Sequence, residues 1–486
     1  DPDVIRVEDT YYMVSTTMHF MPGCEILQSF DLVHWEHVTY VYETLDHTDA
    51  QQLKSGQNIY GQGMWAASLR YHEGRFYICF VANDTRKTYL YTSEKIDGPW
   101  KKQLIEGFYH DGSLLFDEDG RNYIVYGNDE IWITELNEDL TAPKKGGLHR
   151  LLVSDHKNPE LGYEGSHIQK INGYYYIFLI HSLRDRWMRT EACFYSDSLE
   201  GEFTGGDVLC DDRGYCGQGV AQGGIVDTPD GKWYAMLFQD SGAVGRIPIL
   251  VPVTWKDHFP FFGQNGHVPE EIEVHSTRPE YIYQPLVGSD DFCNGLLPRW
   301  QFNHDPDPRY YHLDALQGTY TITTREVCTE LTQAVNTLTQ RMSYPSCAAE
   351  VTVDASALKE GDVAGLCALQ GCYAAVGITK HHGKYEVLML DKKEDGILDM
   401  TEGTVVESHQ MDFRLEADFC NMKDEARCYY RVNKGDWLPI GTVHKLYFKL
   451  DHFTGCRFGL FCYAAEETGG SACFRDFKYY DVDEIS

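Results

Sequence analysis

Three carboxylates in the first half of the chain keep a fixed spacing to a recurring tyrosine. The recurring tyrosines are Tyr12, Tyr77, Tyr123, Tyr176 and Tyr234. Twelve residues before the last four stand Trp65, Asp111, Glu164 and Gln222, and eleven before the first stands Asp1. Equivalent positions of a repeat take equivalent places in a fold, so we expect these five side chains to share one site. Clustered carboxylates are costly unless they bind a ligand or do chemistry.

Two carboxyl groups with separated protonation states can hydrolyse a glycosidic bond. One is protonated and donates to the leaving oxygen, while the other is ionised and activates water or attacks the sugar. A third carboxylate can raise the pKa of the acid by like-charge repulsion and orient its proton. The chain has no GxSxG elbow, phosphate-cradling loop or HExxH motif. Nucleophilic hydrolase, nucleotide-binding and metalloprotease functions therefore lack support.

Each tyrosine belongs to a hairpin signature in which an acidic or Asn-Gly turn precedes an aromatic, β-branched strand. The copies are EGRFYICF (73–80), DGRNYIVYG (119–127), NGYYYIFLI (172–180), DGKWYAMLF (230–238) and a weaker EDTYYMVS (8–15). Five units of roughly 50 residues, each with several short strands, predict a five-bladed β-propeller. A β-sandwich is the alternative, but it has no reason to repeat one motif. The five spaced residues would then ring one end of the central channel.

Composition limits the partners. The 486 residues are enough for two domains, and the net charge of −32 disfavours nucleic acid, anionic membranes and anionic polysaccharides. A neutral ligand fits better, and 13% aromatic residues suit sheet packing or stacking on sugar rings. No apolar run is long enough to predict a membrane span. A homo-oligomer is left open.

The 15 cysteines are odd in number, scattered and without a CxxC pair, which predicts mostly buried free thiols. This favours a reducing or anaerobic setting, cytoplasmic or periplasmic. The chain begins at Asp1 without a signal-like segment, so localisation and export are left open.

The pattern changes after the propeller. We place the propeller at 1–273 and a linker at 274–289, where HSTRPEYIYQPLVGS has no clear periodicity. Alternating strands such as AAEVTVDA and KYEVLML then predict an antiparallel β-sandwich over 290–486. The fold class is thus all-β, a five-bladed β-propeller followed by a sandwich.

Several segments of the propeller region resemble glycoside hydrolase family 43, the five-bladed β-xylosidases and α-L-arabinofuranosidases. They are DPDVIRVEDTYYMVST, MWAASLRYHEGRFY, YHDGSLLFDEDGRNYIVYG, YEGSHIQKINGYYY and VGRIPILVPVTW, and they cover residues 1 to about 260. The resemblance implies that Asp1 is the general base, Glu164 the general acid, and Asp111 the residue that modulates the pKa of the acid and orients it. It also implies inversion at the anomeric carbon. Gly112 and Ser166 depart from the family, which often has Pro at both positions.

The same resemblance implies substrate-binding roles for further residues. Trp65 would lie at the sugar site, Arg246 would reach the substrate, and His19 and Phe20 would wall the pocket. The alternatives are a surface salt bridge for Arg246 and blade-edge packing for His19 and Phe20. Gln222 occupies the place of a family histidine that helps to hold calcium or a water cluster. Its amide could ligate calcium, but no metal or other cofactor is expected to be required.

The segments WQFNHDPD and CFRDFKYYDV resemble the concanavalin-like sandwich, a jelly-roll, of family 43 β-xylosidases. Such a domain packs on the propeller and can lend a loop to the active-site mouth, although a lectin-like binding role is the alternative. A structural calcium near the acidic DDF and DVDE segments is also left open.

These expectations converge on an exo-acting, inverting glycosidase for neutral pentose oligosaccharides. A β-1,4-xylosidase comes first, with an α-L-arabinofuranosidase or a bifunctional enzyme as the alternative. A non-catalytic sugar-binding propeller is the alternative from another class, and a sucrose or fructan hydrolase is disfavoured because no WMNDPNG-like opening occurs. We further expect Gly165, beside Glu164, to leave room for a sugar.

Overall fold

The computed structural model of the chain describes residues 1–481. It confirms the all-β class, with a five-bladed β-propeller followed by a C-terminal β-sandwich. Segment 263–300 joins the two domains as turns and irregular chain. Short 3₁₀ turns occupy Lys54–Gly56, Gly242–Val244, Leu331–Gln333 and Cys420–Met422.

Each blade is a four-stranded antiparallel sheet whose strands follow one another in the chain. Blade 1 has β1 (Asp3–Val7), β2 (Thr10–Val14), β4 (Gly23–Ser29) and β5 (Glu36–Tyr42), with the short β3 (Phe20–Met21) outside this sheet. Blade 2 has β6 (Ser68–His72), β7 (Arg75–Ala82), β8 (Lys87–Ser93) and β9 (Lys101–Ile105). Blade 3 has β10 (Ser113–Phe116), β11 (Asn122–Asn128), β12 (Glu130–Leu136) and β13 (His149–Ser154). Blade 4 has β14 (Glu164–Ile171), β15 (Tyr174–Ser182), β16 (Arg189–Ser196) and β17 (Thr204–Leu209), and blade 5 has β18 (Ile225–Asp227), β19 (Trp233–Asp240), β20 (Arg246–Lys256) and β21 (Phe259–Phe262).

The repeated turn signature opens each blade. In blade 4, Asn172 and Gly173 both have positive φ, 50° and 85°, and they join β14 to β15 as a tight hairpin. The second strand carries the recurring tyrosine, which is buried in blades 3 to 5, where Tyr123 and Tyr176 are 0% and 2% exposed. The first strands of neighbouring blades contact one another, so they line the channel.

Arg70 crosses this channel and ties four blades together. Its guanidinium donates to Asp3 Oδ2 at 2.8 Å, Leu114 O at 2.9 Å, Ser113 Oγ at 2.6 Å and Ile168 O at 3.3 Å. These partners lie on the first strands of blades 1, 3 and 4, while Arg70 lies on that of blade 2. Asp3 and Ser113 are buried, so the channel is filled with side chains at this level.

The sandwich has a nine-stranded and a seven-stranded sheet around a large apolar core. The nine-stranded sheet contains β3, β22 (Gln301–Asn303), β25 (Leu338–Arg341), β27 (Val363–Leu369), β28 (Ala374–His381), β29 (Lys384–Lys392), β30 (Leu398–Met400), β31 (Thr404–Val406) and β35 (Arg457–Tyr463). The seven-stranded sheet contains β23 (Tyr311–Asp314), β24 (Thr319–Thr323), β26 (Ser346–Asp354), β32 (Gln410–Asp418), β33 (Glu425–Arg431), β34 (Leu438–Lys445) and β36 (Ser471–Asp481). Because β3 pairs with β22, a propeller segment forms the edge strand of a sandwich sheet.

The domains also meet through two glycines at the channel mouth. A Cβ added at Gly245 of the propeller would lie 2.6 Å from the Gly455 nitrogen, and one added at Gly455 would lie 2.0 Å from Val244 O. Both glycines have positive φ, 97° and 104°. This backbone-to-backbone approach brings the loop before β35 over one end of the propeller channel.

All 15 cysteines are free thiols, and ten of them are buried. Within residues 1–481, no helix is long and apolar enough to cross a membrane.

Candidate active site

The five spaced residues lie at the same end of the first strand of each blade. Asp1 precedes β1 by two residues, Trp65 precedes β6 by three, and Asp111 precedes β10 by two. Glu164 is the first residue of β14, and Gln222 precedes β18 by three. The tyrosine spacing therefore locates one rim of the channel.

Asp1 is held through both oxygens of its side chain. Oδ1 forms an ion pair with the guanidinium of Arg246, and Oδ2 accepts a hydrogen bond of 2.5 Å from the Thr16 hydroxyl. The side chain is 5% exposed. A carboxylate fixed by a cation and a hydroxyl is suited to remain ionised and to accept a proton from water.

Arg246 is itself fixed between aromatic rings and a second acid. Its guanidinium carbon lies 4.4 Å from the ring centroid of Phe238 and 4.3 Å from that of Phe453, and Nε is 3.2 Å from Asp240 Oδ1. Asp240 also pairs with Arg189, whose pKa burial lowers to about 10. The side chain of Arg246 is 13% exposed, so its ion pairs lie within the site and not on the outer surface.

Glu164 and Asp111 share one histidine. His110 Nε2 lies 3.5 Å from Glu164 Oε2 and 3.5 Å from Asp111 Oδ2. Asn128 Nδ2 donates to Glu164 Oε2 at 3.0 Å, and the Gly165 N–H donates to Asp111 Oδ2 at 3.0 Å. Asp111 thereby holds the backbone beside Glu164.

The pKa values of this cluster move in different directions. Burial raises the pKa of Asp111, and the charge of Glu164 adds to the rise against that of His110. Burial also acts to raise the pKa of Glu164, but the hydrogen bond and charge of His110, with Arg189 and Arg246, bring it below its ordinary value. The Asp111 carboxylate raises the pKa of His110 to about 9, against the opposing effect of burial. Before substrate binds, Glu164 is thus the more acidic of the two carboxyls.

Trp65 lies between the residues around Asp1 and those around Glu164, and a ring of the sandwich domain packs against it. Its ring lies 5.3 Å from that of Phe453 at an interplanar angle of 90°, and 6.3 Å from the His110 ring. Phe453 belongs to the loop that precedes β35 and is 2% exposed. One ring of the second domain thus contacts both Trp65 and Arg246.

His19 and Phe20 are not at the site, which corrects the expectation that they wall the sugar pocket. Both are 0% exposed. Phe20 pairs through β3 with Asn303, and the Arg457 guanidinium lies 3.7 Å above its ring. His19 packs 4.7 Å from His304 and 5.2 Å from His452 in the domain interface. Their apolar surface stabilises the contact between domains, so the packing alternative describes them.

Gln222 is buried against Gly165. A Cβ added at Gly165 would lie 2.6 Å from Gln222 Cγ, and Gly165 has a φ of +66°. The space beside Glu164 is therefore filled by the Gln222 side chain, not kept for a sugar as expected. The Gln222 N–H donates to Glu191 Oε2 at 2.6 Å.

These residues do not fit calcium, which prefers six to eight oxygen ligands. Glu191 is 0% exposed, and burial raises its pKa well above the ordinary value, which disfavours a charged oxygen beside Gln222. His110, Asp111 and Glu164 offer ligand atoms within 4.8 Å of one another. The atom from His110 is a nitrogen, so this cluster provides only two oxygen-bearing side chains. In the sandwich, Asp290 of the DDF segment accepts hydrogen bonds from Phe292 N and Trp300 Nε1. Residues 482–484 of the DVDE segment lie outside the described residues.

Several residues of the site had no role in the sequence-based prediction. They are Thr16, His110, Asn128, Arg189, Phe238, Asp240 and Phe453. His110 adjoins Asp111 and Thr16 lies in the quoted VST segment, so a search of the flanks would find both. Phe453 lies far from the propeller in the sequence and carries no local signal.

Both domains match known protein families. Residues 1–260 match the family described as "Glycosyl hydrolases family 43", and residues 289–480 match "Beta xylosidase C-terminal Concanavalin A-like domain". The chain is 26% identical to a beta-xylosidase of Formosa agariphila, over 99% of this chain and 87% of that protein.

Two solved structures are similar over almost the whole chain. One is a bifunctional GH43-CE protein of Bacteroides eggerthii, with a TM-score of 0.92 and 42% identity over all of this chain. This chain spans 62% of that protein. The other is a GH43 glycoside hydrolase engineered to display both endo-xylanase and exo-arabinofuranosidase activity, with a TM-score of 0.87 and 27% identity over 99% of this chain and 97% of that one.

Proposed function

The chain belongs to glycosyl hydrolase family 43, and from that premise we propose that it is an exo-acting, inverting β-1,4-xylosidase on neutral xylo-oligosaccharides. The observation that supports this most is the contrast between two carboxyls at one channel rim. Asp1 is clamped as an anion by Arg246 and Thr16, while Glu164 directs only Oε2 to its protein donors His110 and Asn128. The net charge of −32 also suits a neutral substrate.

In this mechanism Asp1 takes a proton from a water on one face of the sugar, and that water attacks the anomeric carbon. Glu164 donates its proton to the glycosidic oxygen on the other face, so the C–O bond breaks as the new one forms. Asp111 orients the acid through its hydrogen bond to the Gly165 backbone. Trp65 and Phe453 exclude water from one side of the site.

An α-L-arabinofuranosidase activity, alone or beside the first, is the second candidate. It is supported by the exo-arabinofuranosidase activity in the description of one structural relative that matches 99% of this chain. Both pentosides present the same leaving oxygen to Glu164, so the carboxyl geometry serves either.

The test is hydrolysis of an aryl β-xyloside and an aryl α-L-arabinofuranoside by the intact chain, followed by NMR from the first turnover. We expect the inverted anomer to appear first, and the faster substrate to identify the preferred sugar. A retained anomer would refute Asp1 as the base. If neither glycoside is hydrolysed, both candidate activities are wrong.

A further inference from the structure

His110 is a titratable side chain at the site that the acid and base assignments leave unused. Its imidazole is 20% exposed and faces Glu164 and Asp111, each at 3.5 Å from Nε2. Asp1, in contrast, has Arg246 and Thr16 as its partners. His110 therefore belongs to the acid half of the site alone.

Both neighbours of the Glu164 carboxyl act on the same oxygen. Asn128 Nδ2 lies 3.0 Å and His110 Nε2 3.5 Å from Oε2. A proton is disfavoured on an oxygen that already faces two donors. The proton that Glu164 donates is therefore carried by Oε1.

We propose that His110 is a positioning residue, which aims Oε1 of Glu164 at the glycosidic oxygen and sets the alkaline limit of hydrolysis through its positive charge. The second part rests on the proposed function, because it takes Glu164 as the group that must be protonated. The first part rests on geometry alone.

The charges that face this histidine support a cationic imidazole. Asp111 and Glu164 are the two acids that face it, and the cation that opposes their effect is Arg86, whose guanidinium lies 3.7 Å over the Phe108 ring. Arg189 and Arg246 act on Glu164 from across the site, but Asp240 pairs with both of them. His110 is the only one of these cations within hydrogen-bonding reach of Glu164 among the described residues.

The sign of the pH effect follows from this contact. An imidazolium beside a carboxylate favours the ionised form, so it lowers the pKa of Glu164. Hydrolysis needs the protonated form, so kcat/KM falls as the pH rises through that pKa. Removing the charge raises the pKa and moves the alkaline limb to higher pH, by about one unit.

The experiment compares His110→Gln with His37→Gln in the full chain. Glutamine keeps a donor near Glu164 but carries no charge. His37 is a matched control because its Nδ1 lies 3.0 Å from Glu25 and its side chain is 18% exposed, on an outer strand of blade 1. We expect only His110→Gln to move the alkaline limb of kcat/KM upward. The proposal is overturned if the alkaline limb of kcat/KM does not move in His110→Gln. It is also overturned if that variant is folded but inactive at every pH.

A second readout does not depend on turnover. NMR titration of the His110 imidazole in the full chain should give a pKa above the ordinary histidine value, falling in Glu164→Gln. If the intact chain hydrolyses neither glycoside while this pKa is high and falls in the variant, the pairing stands and the proposed activity is wrong. If His110 titrates at its ordinary value in both proteins, the positioning role is wrong whatever the activity.

Discussion

The proposed acid half of the site, around Glu164, and the proposed base half, around Asp1, occupy equivalent places in the propeller yet hold their carboxyls in opposite ways. Asp1 has each oxygen fixed by a separate partner, and its cation is braced by Asp240 and two aromatic rings. Glu164 has one oxygen engaged and belongs to a cluster in which His110 and Asp111 also titrate. The repeat thus supplies position, while the flanking loops decide which carboxyl stays ionised and which exchanges its proton.

The largest expected effects come from replacing the two carboxyls, and the dependence on the leaving group distinguishes the acid from the base. Asp1→Asn should lower kcat by about 10³-fold on every glycoside, because no other group takes the proton from water. Glu164→Gln should cost as much on a xylo-oligosaccharide but far less on an aryl glycoside whose phenolate leaves without a proton. Steady-state kinetics on both substrates measure this, and equal losses of the Gln variant on the two would contradict the acid assignment.

A smaller effect is expected when Arg246, the cation that holds Asp1, is replaced. Arg246→Lys should lower kcat/KM by about 10²-fold, because an ammonium cannot present a planar face to two rings while bonding two acids. Arg278→Lys is the matched control, since Arg278 also bonds an acid, Asp9, and lies 4.2 Å over the Phe30 ring, far from the site. Similar activities of the two variants would show that the bracing has no catalytic role.

The hydroxyl on the other oxygen of Asp1 should matter less. Thr16→Val keeps the shape but removes the donor at 2.5 Å, and we expect kcat/KM to fall by about tenfold. Thr16→Ser restores the hydroxyl and should recover most of the activity. Steady-state kinetics of Thr16→Val and Thr16→Ser test this hydrogen bond. An equal loss of kcat/KM in both variants would show that the packing of the threonine, and not its hydroxyl, matters.

The smallest effect concerns the ring that the sandwich places against both halves. Phe453→Leu fills the space but loses the aromatic faces toward Arg246 and Trp65, so kcat/KM should fall by about fivefold. Phe261→Leu, on a half-exposed outer strand of the propeller, is the control. If Phe453→Leu leaves both the kinetics and the melting temperature unchanged, the sandwich domain packs on the propeller without contributing to catalysis.

The fold and the carboxyl positions follow from the sequence because each has a local cause. The turn before each recurring tyrosine fixes a hairpin, and counting back from the tyrosine reaches the start of the preceding strand, as for Asp111 and Glu164. No comparable spacing predicts the residues that contact these carboxyls. Arg189 and Phe453 reach the site through blade and domain packing, which a single sequence does not encode by spacing.

His19 and Phe20 show the reverse error. Their segment is near Asp1 in sequence and resembles a pocket wall, but the short β3 turns away from blade 1 to pair with β22. Once the second domain covers this edge, both side chains are buried. A prediction made from the propeller segments alone therefore assigns them to the sugar pocket.

The arginine that joins four blades has a kinetic consequence. Because Arg70, Asp3 and Ser113 fill the channel below the carboxyls, the sugar enters and leaves by one opening. In the proposed exo mode the leaving group would lie nearer that opening, so we expect it to depart first and the freed monosaccharide to follow. We therefore expect ordered release, with the monosaccharide competing directly with substrate for the empty enzyme.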